Sequence, residues 1–155
     1  MKVVIVTLHR VYNYGSALQA YATQKIFDKA GFETEIVDYI TPQRTKKQIM
    51  KNVAAGSNAG MSSAAYKFFK RFSVMLKEMT FGRFVEKNLH LTKQYITAED
   101  LEKDPPQADI YVTGSDQTWN SQYNEGVDRG FFLAFAPKGK MKISFVSSFG
   151  KEHLN

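Results

Sequence analysis

The sequence predicts an α/β domain: a Rossmann-like parallel β-sheet flanked by helices. Three observations carry that expectation. A β-branched run, Lys2 to Leu8, leads into a turn-rich loop and then into apolar residues at helical spacing. Gly31 supplies a helix stop, and a second apolar run, Phe32 to Tyr39, follows at once. Further strand candidates at 109–113, 130–135 and 142–147 stand next to polar, glycine-bearing loops. Strand, loop, helix, glycine and strand in that order form a βαβ unit, whose strands must run parallel.

Taken in order, residues 2–8 read as a buried strand, because their apolar run is continuous instead of alternating. Ser16 with Gln19 three residues on forms a capping-box pair, which places the helix start near Ser16. Leu18, Tyr21, Ala22, Ile26 and Ala30 then mark its apolar face. Pro42 ends the unit. The following stretch, about residues 43–103, reads as a variable helical insertion with a small-residue loop at Ala54–Ala65. Phe68, Phe69, Phe72, Met75, Leu76 and Met79 recur at helical spacing and are expected to face the core. The sequence ends soon after Ser148-Phe149-Gly150, where another helix is expected to open. Residues 1–155 therefore read as a single domain cut off at a crossover, with an exposed apolar strip expected where the missing part would dock.

Composition bounds the function. With 155 residues, 43% apolar and 14% aromatic, the chain can bury a core without staples. It has no cysteine, which excludes disulfides, thiolate metal sites and a cysteine nucleophile, and fits a reducing compartment. The first apolar run meets His9-Arg10 instead of a cleavage site, and no run approaches the roughly 18–20 residues that span a bilayer. A cytoplasmic protein is expected. The net charge is +6, but the segment Arg44–Lys93 carries eleven basic residues against two acidic ones. That is expected to be a solvated helical face; no nucleic-acid motif accompanies it.

Two polar loops follow strands: Asn13-Tyr14-Gly15-Ser16 and Gly114-Ser115-Asp116-Gln117. In open α/β sheets ligands bind at the carboxyl ends of the strands, so both loops are candidate ligand-lining segments. Asp116 could cap, accept a sugar hydroxyl or act as a general base. Trp119 closes the core or stacks on a sugar ring. His9 lies beside the first loop, whereas His90 and His153 are scattered and build no metal site. There is no Walker-A sequence, no GxGxxG and no GxSxG, which argues against a P-loop NTPase, a dinucleotide dehydrogenase and a serine hydrolase.

The ordered set Met1–His9, Asn13–Ser16, Leu18–Ala22, Ile36–Tyr39, Gly114–Asn120 and Lys142–Gly150 closely resembles the polysaccharide pyruvyl transferase family. The resemblance implies the N-terminal half of a two-domain, glycosyltransferase-B-type fold. It implies transfer of the enolpyruvyl group of phosphoenolpyruvate onto a sugar of a surface polysaccharide or exopolysaccharide, as a pyruvate ketal. Asp116 would be the catalytic base. His9, Asn13, Tyr14, Gly15, Ser16, Gly114, Ser115, Gln117, Trp119 and Asn120 would bind substrate. No metal or cofactor is expected; phosphoenolpyruvate is the donor substrate. The implied partners are the saccharide acceptor and a C-terminal half, with peripheral contact to a lipid-linked glycan at the inner face of the membrane. The alternatives are a nucleotide-sugar glycosyltransferase of similar architecture and a non-catalytic glycan- or partner-binding module. The family's better-studied branch carries Gly-Asp where this chain has Gly15-Ser16.

Overall fold

The computed structural model describes residues 1–55 and 64–150. Most of the small-residue stretch at 54–65 lies outside them, as does His153. The elements are β1 (Lys2–Val6), α1 (Tyr14–Lys29), β2 (Glu33–Tyr39), a 3-10 turn (Pro42–Arg44), α2 (Lys46–Ala55) and α3 (Ala64–Asn88). They continue with β3 (Leu91–Tyr95), α4 (Ala98–Lys103), β4 (Ile110–Thr113) and β5 (Met141–Ser144).

The five strands form one sheet in the order β3-β2-β1-β4-β5, with every neighbouring pair parallel. This is the expected α/β architecture. The chain leaves β1 toward β2 on one side and later returns to the other side of β1 as β4. The order therefore reverses between β1 and β4, and a crevice opens there at the carboxyl ends of the strands.

Because side chains alternate along a strand, β1 feeds two cores. Val3 and Ile5 pack with Ala20, Val85 and Leu89 under α1 and α3. Val4 and Val6 pack with Leu101, Tyr111 and Phe131 on the other face. These four of the five β1 residues are fully buried, which is why the run is continuous instead of alternating.

Five sequence expectations are corrected. Helix α1 starts before Ser16: Asn13 is its N-cap, and the Asn13 side chain accepts from the Gly15 N–H. Its buried face is Ser16, Ala17, Ala20, Thr23 and Gln24, while Leu18 and Ile26 are 55% and 51% exposed. Small residues let the helix lie close to the sheet, and the buried Gln24 is satisfied by the His90 N–H and the Asn88 carbonyl. Residues 130–135 are turns and not a strand. Phe131, Leu133 and Phe135 are nevertheless buried on alternate positions, with Leu133 at a φ of 56°. The turn thus reproduces the period of a strand without its hydrogen bonds. The aromatic and Met stripe of α3 does not reach the core: Phe68, Phe69, Phe72, Met75, Leu76 and Met79 are all exposed, and among the described side chains of that helix only Phe81 and Val85 are buried apolar residues. Finally, the region after Pro42 is helical through α2 and α3 but then supplies the edge strand β3.

Candidate functional site

The crevice between β1 and β4 holds a cavity of about 410 Å³ whose polar lining is Asn13, Ser16, Arg44, Asp116, Gln117 and Tyr123. Leu8 and Val11 supply its apolar wall. Asn13 and Ser16 come from the loop and first turn after β1, and Asp116 and Gln117 from the loop after β4. The two loops meet directly: Ser16 Oγ donates to Asp116 Oδ2 at 2.9 Å. The second carboxylate oxygen accepts the Gln117 backbone N–H at 2.7 Å. These two donors fix the carboxylate in one orientation and leave lone pairs on both oxygens for a further donor.

The backbone is shaped to present that carboxylate. Asp116 sits at a φ of 91°, a conformation that aspartate tolerates better than most residues and that is often found at functional positions. Gly114 precedes it at a φ of 108°. A Cβ at Gly114 would overlap the carbonyl oxygen of Phe145. Gly114→Ala is therefore expected to destabilise the domain by about 3 kcal/mol, read as a lower midpoint in urea unfolding. An unchanged midpoint would show that the loop can relax.

Not all the expected residues reach the cavity. Ser115 faces α1 instead: its hydroxyl donates to Gln19 Oε1 at 2.5 Å, and its carbonyl accepts from Thr7 Oγ1 at 2.9 Å. Asn120 is buried and braces Gln117 from behind, donating to its Oε1 at 2.9 Å. Tyr14 is exposed and packs on Phe81 with ring centroids 4.9 Å apart, and Gly15 serves the cap. Trp119 donates its indole N–H to the Phe131 carbonyl, stacks on Phe132 at 5.4 Å and touches Phe149 at 5.3 Å. Its surroundings are those of a packing residue.

His9 lies behind the cavity. It is 1% exposed, and both ring nitrogens face acceptors, the Thr7 carbonyl at 3.2 Å and Asp38 Oδ1 at 2.9 Å. Arg10 clasps the same carboxylate through Nε and Nη2, at 2.7 and 2.9 Å. Burial alone would raise the Asp38 carboxyl; the hydrogen bonds from His9 and Arg10 outweigh it and hold the group well below the usual carboxylate range. This cluster anchors the loop after β1 to the end of β2.

Two polar residues of the lining escaped sequence reasoning. Tyr123 stands at the rim. Arg44 ends the 3-10 turn after β2 and donates to Asn124 Oδ1 at 3.2 Å. Burial pushes its guanidinium down, against the opposing pull of the Asp128 and Asp116 charges. Arg44 also borders a second cavity, of about 370 Å³, shared with Arg10, Tyr12, Lys47 and the apolar edge of α3. The signal in the sequence was positional: a basic residue just past the end of a parallel strand.

A five-stranded parallel sheet flanked by helices, with a polar crevice at its topological switch point, defines a Rossmann-like α/β domain. The particular family is settled by comparison with known families: the polysaccharide pyruvyl transferase model matches residues 13–153, and the chain belongs to that family. No curated protein and no solved structure matches the chain. Among the described residues no group of three His, Asp or Glu side chains could hold a metal ion, and no helix is long and apolar enough to cross a membrane.

Proposed function

We propose that this domain supplies the acceptor side of a pyruvyl transferase. It holds a sugar of a surface polysaccharide while the enolpyruvyl unit of phosphoenolpyruvate is added as a pyruvate ketal. The supporting observation is the Asp116 carboxylate, oriented by Ser16 and the Gln117 N–H at the mouth of a polar cavity. A carboxylate among hydroxyl and amide groups suits a neutral polyol, whose hydroxyls donate to it. A multiply charged donor is a poorer occupant, because Asp116 repels it and Arg44 is the one cation in the lining among the described residues.

The chemistry gives each group a task. Two carbon–oxygen bonds form at C2 of the enolpyruvyl unit, the methylene carbon gains a proton to become methyl, and the carbon–oxygen bond to phosphate breaks. Two sugar hydroxyls lose protons; one proton balances the new methyl group and the other leaves with phosphate. Asp116 takes the proton from one hydroxyl as the oxygen attacks. Ser16 and Gln117 keep its reactive oxygen aimed at the sugar. The cations that neutralise the donor's phosphate and carboxylate come from a second half of the enzyme.

The test is transfer itself. The full enzyme, given phosphoenolpyruvate and a polysaccharide acceptor, is expected to release inorganic phosphate and to yield a ketal methyl signal by proton NMR. Glycosyl transfer from a nucleotide sugar, with no ketal formed, would overturn this reading. The 155-residue chain alone is expected to give no turnover; pyruvyl transfer by it would contradict the division of labour.

A further inference from the structure

Helix α3 has two apolar sides, and the fold uses only one. Val85 is buried against the sheet and Phe81 against the Tyr12 and Tyr14 rings, whereas Phe68 and Phe69 are 66% and 67% exposed and Phe72, Met75, Leu76 and Met79 are each more than 40% exposed. At 100° per residue those six fall on one arc of roughly 120°, on the side opposite Phe81 and Val85. The same helix carries six basic residues and two acidic ones. Arg71 and Lys87 stand at the margins of the arc, and Arg83 continues it one turn beyond Met79; all three are exposed. Glu86 is the acidic residue on that side, and α2 adds three lysines to the same region of the chain.

We infer that α3 docks on the surface of an anionic lipid bilayer. Its phenylalanine and methionine arc would enter the boundary between headgroups and acyl chains, with the flanking arginine and lysine side chains reaching lipid phosphates. Charge decides between this occupant and a second copy of the chain. Two α3 faces brought together would juxtapose two basic helices, which disfavours the pairing. An anionic surface meets both the charge and the apolar area at once. The opposite edge of α3, including Glu78, Phe81, Gly82 and Val85, lines the 370 Å³ cavity. Docking would therefore bring that cavity within about one helix diameter, ~10 Å, of the bilayer surface.

Sedimentation of the chain with phosphatidylglycerol–phosphatidylcholine vesicles, against phosphatidylcholine alone, tests the inference. Partition into the anionic vesicles is expected to be at least about tenfold stronger and to fall with added salt. Arg71→Glu with Arg83→Glu, and separately Phe72→Ser with Met75→Ser, are each expected to lower it by roughly tenfold. All four positions are exposed, so circular dichroism of the variants should match the parent. As a second readout, Phe72→Trp should shift its emission to the blue on the anionic vesicles only. Equal partition into both vesicle types, no partition, or a dimer dissolved by Phe72→Ser in a chain that ignores vesicles would each overturn the inference. None of these outcomes bears on the reading of the Asp116 cavity, which is tested by transfer.

Discussion

Replacing Asp116 with asparagine is expected to lower pyruvyl transfer by the full enzyme by roughly a hundred- to ten-thousand-fold, the range that a positioned general base contributes. The substitution isolates the proton-accepting role. Asparagine still accepts the Gln117 N–H through its amide oxygen while its NH2 donates to Ser16 Oγ, which can turn to accept, and it tolerates the φ of 91° that this position demands. The urea midpoint should therefore stay close to that of the parent. The loss should appear in kcat more than in KM, because the sugar keeps most of its contacts while its hydroxyl loses the base. A kcat within a few-fold of the parent would remove Asp116 from the chemistry and leave it a binding residue.

The second large effect is on stability. Asp38→Ala is expected to destabilise the domain by about 3–5 kcal/mol, the cost of breaking a buried charge pair from one side. It would strip the acceptor from the buried His9 and from both donating nitrogens of Arg10. The pH dependence follows from the lowered carboxyl. In the unfolded chain the Asp38 carboxyl titrates near 3.9. Its stabilising contribution is complete above that value and is lost as pH falls through the lower folded value. Urea unfolding of the parent and of Asp38→Ala should thus differ most near neutrality and converge as pH falls below about 4. A gap independent of pH down to strongly acid conditions would place the stabilisation elsewhere.

Much of the frame was legible because it rests on local patterns. The continuous β-branched run of β1 and the glycine that stops α1 are written in neighbouring residues, and a parallel sheet follows from them. The segment 130–135 was misread because Phe131, Leu133 and Phe135 are buried at every second position, the very pattern that marks a strand. A turn with Leu133 at positive φ produces the same alternation, and no periodicity distinguishes the two. The buried face of α1 was hidden for another reason. Its burial is secured by small side chains and by the hydrogen bonds of Gln24, to which hydropathy is blind.

In the site, the loops after β1 and β4 were readable from glycine and short polar residues following strands. What could not be read was which side chains turn inward. His9 looked available, yet its partner Asp38 lies 29 positions away at the end of β2. Arg44 looked like part of a solvated basic stretch until the turn at Pro42–Arg44 brought it to the crevice. The stripe on α3 had the spacing of a core helix, but spacing identifies a face and not what covers it.

The central claim is that the Asp116 cavity receives the sugar. An amide-resolved NMR titration of the chain with a panel of methyl hexopyranosides tests it most directly, with phosphoenolpyruvate and a nucleotide sugar as comparators. Shifts at Asn13, Ser16, Gln117 and Tyr123 with a hexopyranoside, weakened by Asp116→Ala, are the expected result. Shifts at those amides with the nucleotide sugar alone would contradict it and point to glycosyl transfer.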